Sequence, residues 1–192
     1  MISIKVILIG DSGVGKTCLI QQYTNKEFNE ETVSTIAVSD KLTKEVKVGE
    51  KTIKLEIWDT VGQEKFKSVN KIYMKDAKIA LMVYDMTVQN SFNNLQNWYK
   101  ELKEINDSVE VFGVIANKSD LYEEQVVSKE EGENYAKRIN GFFYETSAMD
   151  YESVSNAFEG LTKKYVENVL CEDNKIIKNK KLFTKISKII KL

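Results

Sequence analysis

The chain contains no proline and no histidine, one arginine (Arg138) and two cysteines (Cys18 and Cys171) among its 192 residues. The missing histidine removes the usual general base and the commonest metal ligand. Chemistry here has to run on backbone N–H groups, lysine, carboxylates, amides and a bound ion. Two distant cysteines build no disulfide framework, so a reducing compartment is the natural setting. No apolar run approaches the roughly 18 residues of a membrane span. The apolar stretch at the start carries Lys5 and is used up by the first strand, so no signal peptide is expected. Ile2 stands where N-myristoylation needs Gly. A net charge of −1 gives no reason to expect a nucleic-acid partner. The expectation is a cytoplasmic protein, or one held on a cytosolic surface.

An apolar fraction of 42% supports a real core, and the length suits one domain with a short appendage. The division falls near residue 170. Residues 171–192 hold seven lysines against Glu172 and Asp173, a charge of +5, which leaves −6 for residues 1–170.

The most informative stretch is Gly10-Asp11-Ser12-Gly13-Val14-Gly15-Lys16-Thr17, directly after the apolar run Ile4-Lys5-Val6-Ile7-Leu8-Ile9. This is a phosphate-binding loop, G-x-x-x-x-G-K-[ST], with a strand before it and a helix after it. Its glycines let the backbone aim N–H groups inward at phosphate oxygens. Lys16 reaches the terminal phosphates, the Thr17 hydroxyl is a Mg²⁺ ligand, and the helix start at Gly15 to Cys18 adds the positive end of its dipole. Residues 11 to 18 are therefore assigned to a nucleotide.

Strand-like segments are read at 3–9, about 38–48, 52–58, 78–85, 111–116 and 142–145, and helical ones at about 16–25, 66–75, 91–106, 128–138 and 152–170. Gly49-Glu50 reads as a hairpin turn that sets the second strand antiparallel. In 91–106, Phe92, Leu95, Trp98, Tyr99, Leu102 and Ile105 recur at helical spacing, a core-facing stripe with no functional role. Ser128 and Glu131 form a capping box. The expected fold is α/β: a six-stranded, mainly parallel sheet flanked by about five helices, with ligands beyond the strands' carboxyl ends.

Further motifs fall at strand ends. After the third strand, Asp59 can hold Mg²⁺, the backbone N–H of Gly62 can approach a terminal phosphate, and Gln63 can orient an attacking water. After the fifth comes Asn117-Lys118-Ser119-Asp120. A carboxylate at Asp120 accepts from guanine's ring N–H and exocyclic amine, a pair adenine does not offer. Asn117 can bond the base edge and tie back to the phosphate loop, and the Lys118 stem can cover the ring. After the sixth, in Glu145-Thr146-Ser147-Ala148, the Ala148 N–H can meet guanine's carbonyl oxygen, with Ser147 beside it. The ligands expected are GTP or GDP with Mg²⁺.

With these motifs in order, the chain resembles the Ras superfamily of small GTPases, the Rab branch most closely, over roughly residues 3–170. Other Rab-like stretches are Ser34-Thr35-Ile36, Lys51-Thr52-Ile53-Lys54-Leu55, Ile57-Trp58-Asp59-Thr60, Val83-Tyr84-Asp85 and Ser91-Phe92-Asn93-Asn94. The resemblance implies that Thr35 lies in a first switch and meets Mg²⁺ and the γ-phosphate, and that Phe28 packs edgewise on the guanine. It implies switches ordered by GTP and released after hydrolysis, read by effectors and served by an exchange factor and a GTPase-activating protein. It further implies a role in vesicle traffic on the cytosolic face of endomembranes.

Departures from the Rab pattern are specific. Ala37 replaces Gly, Ser39-Asp40 replaces Asp-Phe, Val61 replaces Ala before Gly62, and Met149 replaces Lys after Ser147-Ala148. The last residues, Ile189-Ile190-Lys191-Leu192, offer neither a cysteine pair nor C-a-a-X for prenylation. Within 175–192, Leu182, Phe183, Ile186, Ile189 and Ile190 share one helical face with lysines around it, which suits an anionic membrane surface or packing on a protein. The leading reading is a slow GTP-hydrolysing switch with Gln63 and Lys16 as catalytic groups. The alternative is a GTP-binding interaction module that hydrolyses too slowly to cycle. A P-loop ATPase or small-molecule kinase fits poorly with Asp120.

Overall fold

The computed structural model describes residues 2–28, 41–59 and 72–169. Their strands are β1 (Ile2–Ile9), β2 (Leu42–Val48), β3 (Lys51–Asp59), β4 (Ile79–Asp85), β5 (Val111–Asn117) and β6 (Phe142–Thr146). The helices are α1 (Lys16–Asn25), α2 (Gln89–Asn93), α3 (Leu95–Ile105), α4 (Lys129–Arg138) and α5, over 151–169. A 3-10 helix spans Ser119–Glu124 and a single helical turn covers 72–74. The strands form one six-stranded sheet in the order β2-β3-β1-β4-β5-β6. Only β2 runs antiparallel, joined to β3 through Gly49, whose φ of +60° suits a residue without Cβ.

The alternation within each strand explains why helices cover both faces. On one face Ile4, Val6 and Leu8 of β1 join Ile53, Leu55 and Ile57 of β3, under Leu19 and Tyr23 of α1 and Phe158 and Leu161 of α5. On the other, Ile7 and Ile9 join Met82 and Val114, under Leu95, Trp98 and Leu102 of α3 and Tyr135 and Ala136 of α4. Strands β4 and β5 are buried along their whole length, which a parallel strand covered on both sides requires.

Parallel pairing brings the strands' carboxyl ends to one edge. Leu8 pairs with Asp59, Asp85 with Asn117, and Asn117 with Thr146. This register sets the motif residues side by side.

The elements follow the sequence reading with two changes, the first being the 3-10 helix Ser119–Glu124, where no helix is expected from the pattern. The single helix expected over 91–106 is two, α2 and α3, meeting at Asn94. Hydrogen bonds continue through the joint, with Asn94 N donating to Asn90 O at 3.0 Å and Trp98 N to Asn94 O at 3.2 Å. The capping box on α4 is present: Ser128 N donates to Glu131 Oε2 at 2.9 Å and Glu131 N to Ser128 Oγ at 3.3 Å. Residues 38–40 of the second expected strand, most of the helix expected at 66–75, and the tail 171–192 lie outside the described residues. Among the described residues no helix is long and apolar enough to cross a membrane.

Candidate nucleotide-binding site

The chain leaves β1 through Gly10, whose φ is +145° and whose Cβ, if it had one, would lie 2.1 Å from the carbonyl oxygen of Val83. Any side chain would therefore push the loop off the sheet. At the far end, Gly15 takes φ +94° and caps α1 with no side-chain hydrogen bond. The positive end of the α1 dipole lies at this turn, where it favours an incoming anion.

Lys16 is 5% exposed, and its Nζ donates to Gly10 O at 2.9 Å and Asp11 O at 2.7 Å, so its ammonium is folded back over the loop. Burial pushes its pKa down from 10.5 to about 8, against the opposing pull of the Asp59 and Asp11 carboxylates. A cation poorly solvated by its own protein gains more from an anionic ligand than a solvated one does.

Thr17 Oγ1 donates to Asp59 Oδ2 at 2.6 Å, and Asp59 is 2% exposed at the end of β3. A hydroxyl and a carboxylate oxygen therefore sit together beside the loop. Mg²⁺ takes one or two carboxylate or hydroxyl oxygens and completes its shell with water and phosphate, so this all-oxygen pair fits it.

Asn117 closes β5 and is 1% exposed. Its Nδ2 donates to Val14 O at 2.8 Å, and its Oδ1 accepts from Thr146 Oγ1 at 3.1 Å. The amide thereby locks the phosphate loop to the ends of β5 and β6. It also explains Gly15 a second way, since a Cβ there would meet Asn117 Nδ2 at 2.4 Å. Lys118 adopts φ +66°, and its Nζ pairs with Asp85 Oδ2 at 2.6 Å, laying its stem across the end of β4. Asp85 is fixed in turn by Thr87, whose N and Oγ1 donate to Oδ1 at 2.9 and 2.7 Å.

Asp120 is exposed, and its Oδ1 accepts from Ser147 Oγ at 2.5 Å. Ser147 also accepts from Met149 N at 3.1 Å, while its own N donates to Ser153 Oγ at 3.1 Å. The loop after β6 is thus folded onto the carboxylate. Ala148 is buried beside it, and Met149 is 56% exposed. Phe28, just beyond α1, leaves its ring partly open to solvent at 37%. Cys18 packs half-buried against the α1-side core. Residues 11–18, Asp59, Asn117, Lys118, Asp120, Ser147 and Ala148 thus meet along one sheet edge. Thr35, Gly62 and Gln63 lie outside the described residues.

Two residues at the loop escaped the sequence reading. Trp98, read as core alone, donates Nε1–H to Asp11 Oδ1 at 2.7 Å, and Asn94 Nδ2 donates to Asp11 Oδ2 at 2.7 Å. The stripe with no functional role therefore needs correcting at Trp98. Its ring serves the core, but its N–H serves the phosphate loop. The available signal was Asp11 itself, a carboxylate in an anion-binding loop that needs donors to hold it.

A sequence profile described as the Ras family matches residues 5–167. The chain is 43% identical over 178 residues to the GTP-binding protein ypt3 of Schizosaccharomyces pombe, spanning 93% of this chain and 79% of that protein. It is 43% identical over 168 residues to the Ras-related protein Rab11B of Nicotiana tabacum, spanning 87% and 76%. To the Ras-related protein RABA1h of Arabidopsis thaliana it is 42% identical over 162 residues, spanning 84% and 74%. A Ras-family profile over residues 5–167 and relatives 42–43% identical over most of the chain make this protein a member of the Ras family, of the Rab type.

Proposed function

We propose that the chain works as its Rab-type relatives' architecture suggests, through the groups described above. The protein is a Rab-like GTP-binding switch that hydrolyses GTP to GDP in the service of vesicle traffic. The observation that supports the residue assignment is the Asn117 Nδ2 bond to Val14 O, which ties the loop of residues 10–17 to the segment that carries Lys118 and Asp120. Loop N–H groups of residues 11–18 and the Lys16 ammonium hold the phosphates. Asp120 reads the guanine donors, with Ser147 and Ala148 framing its carbonyl side and Lys118 and Phe28 covering the ring. Thr17 and Asp59, joined by Thr35 in the GTP state, would hold Mg²⁺. That ion, when bound, neutralises charge on the phosphates. Gln63 orients the attacking water, in a protein without histidine to do so.

Hydrolysis is slow without help. The only arginine, Arg138, lies over the Tyr135 ring at the end of α4, its guanidinium carbon 4.8 Å from the centroid, so the chain supplies no arginine finger of its own. Unaided turnover is expected on the order of 10⁻⁴–10⁻³ s⁻¹ or slower. Single-turnover assays on GTP-loaded protein test this. Gln63→Leu lowers the rate further, and Val61→Ala raises it, because a β-branched residue stiffens the hinge at Gly62. A neutral Val61→Ala would show that this departure has no bearing on rate. Relatives along most of the chain favour the cycling switch over a non-cycling interaction module.

Effectors, an exchange factor and an activating protein are its partners, and the cytosolic face of endomembranes is its place of work. The basic tail supplies contact with anionic lipid, each lysine near the surface contributing about 1 kcal/mol. Flotation with anionic liposomes at low salt, comparing the full chain with one ending at Leu170, is expected to recover only the full chain. Failure of both to float would leave the apolar stripe as a protein-packing surface.

A further inference from the structure

Asp11 is the one carboxylate in residues 10–17, and it carries the wrong charge for a segment that cradles phosphates. Both of its ends are held. Its carbonyl oxygen accepts from Lys16 Nζ at 2.7 Å. Its carboxylate is shared between Asn94 Nδ2 and Trp98 Nε1, each at 2.7 Å. Asn94 is the N-cap of α3 and Trp98 lies four residues on, so the two stand on one helical face. Trp98 is 7% exposed, with its ring packed in the core under the sheet, so the direction of its N–H is fixed by packing.

Both donors are neutral. A lysine or arginine in either position would also hold the carboxylate, but would set a second cation beside the loop. Neutral donors bind Asp11 and add no charge.

We propose that Asn94 and Trp98 are positioning residues of the nucleotide site, which hold the Asp11 carboxylate against α3 so that the loop presents N–H groups and Lys16 to the phosphates. With the Asn117 bond to Val14 O, they clamp the loop near both ends from distant parts of the chain. Release of either donor frees a carboxylate oxygen to turn toward the phosphates, where it repels them and loosens the loop. Nucleotide then leaves faster. The inference rests on residues 10–17 being the phosphate cradle.

The test is release of a fluorescent GDP analogue from loaded full-length protein, chased with excess GDP. Trp98→Phe keeps an aromatic ring in the core but removes the N–H together with part of the indole, and the Asp11→Ala background separates the loss of packing from the loss of the donor. Asn94→Ala removes the other donor, from a side chain that is only half-buried. Each is expected to speed release about tenfold, the size of one lost hydrogen bond to a charged group. In an Asp11→Ala background the same two changes should alter release less than twofold, because no carboxylate remains to hold. Equal acceleration in both backgrounds would mean that Trp98 and Asn94 act through packing alone, and would overturn the proposal. No acceleration beside native Asp11 would overturn it too. If Trp98→Phe does not fold, Asn94→Ala alone decides the question in the same way. Should the native chain fail to retain the GDP analogue, the reading of the phosphate cradle itself falls, a result distinct from either of these.

Discussion

Asp120→Asn is expected to lower GTP affinity by about a thousandfold and to raise affinity for XTP. The wild-type carboxylate meets two donors on guanine, and hydrogen bonds to a charged group contribute about 1.5–3 kcal/mol each. An amide offers one acceptor and one donor group, so a guanine donor is left facing an N–H. Xanthine presents an acceptor where guanine has its exocyclic amine, and the same amide satisfies it. The exchange should spare the fold, because Asp120 is exposed and its one described side-chain bond, from Ser147 Oγ, can be accepted by an amide oxygen equally well. Competition of GTP and XTP against a labelled nucleotide measures both halves. Unchanged GTP binding in the variant would remove Asp120 from the base site.

Lys16→Met is expected to weaken GTP binding by about thirtyfold or more, since removing one partner of a buried charge pair costs about 2–5 kcal/mol. The same lysine sets a pH dependence. Burial holds its pKa at about 8 in the folded chain against 10.5 for an unperturbed lysine. Between those values the unfolded chain keeps a proton that the folded chain has shed, so this group makes nucleotide-free stability rise with pH across that window. Below pH 8 both states are protonated, and the full penalty of burying the cation, about 3 kcal/mol, is present. Phosphates favour the charged form, so binding above pH 8 takes up a proton and affinity falls as pH climbs. Titration calorimetry at pH 9 in two buffers of different ionisation enthalpy should show uptake approaching one proton, and much less at pH 7. Lys16→Met should abolish it. Uptake that persists in the variant would assign the proton to another group.

The elements of this fold were legible because its two periodicities are clean. Strands β4 and β5 are apolar up to their last residues, Asp85 and Asn117, α3 carries an apolar stripe, and Gly49 marks the hairpin. The phosphate loop was legible for a local reason. Gly10, Gly13 and Gly15 all take φ between +80° and +145°, a requirement that falls on individual residues and so is written in them. Ser128 and Glu131 cap α4 three residues apart, and such short-range hydrogen bonds also leave a pattern in sequence.

Local signals thus write into the chain which residues form strands and helices, where the backbone must turn left-handed, and which side chains have the chemistry for phosphate, Mg²⁺ and guanine. Which of them meet is settled by packing across the sheet. Asn117 reaches Val14 across 103 residues, and Trp98 reaches Asp11 across 87. Thr17 and Asp59 come within 2.6 Å across 42. No periodicity encodes these meetings, because they follow from the parallel register that aligns the carboxyl ends of β1, β3, β5 and β6 and from the helix packed against each face. Trp98 makes the point most sharply. Its spacing announces a core residue, which its ring is, while its N–H answers to a carboxylate that helix packing alone brings within reach.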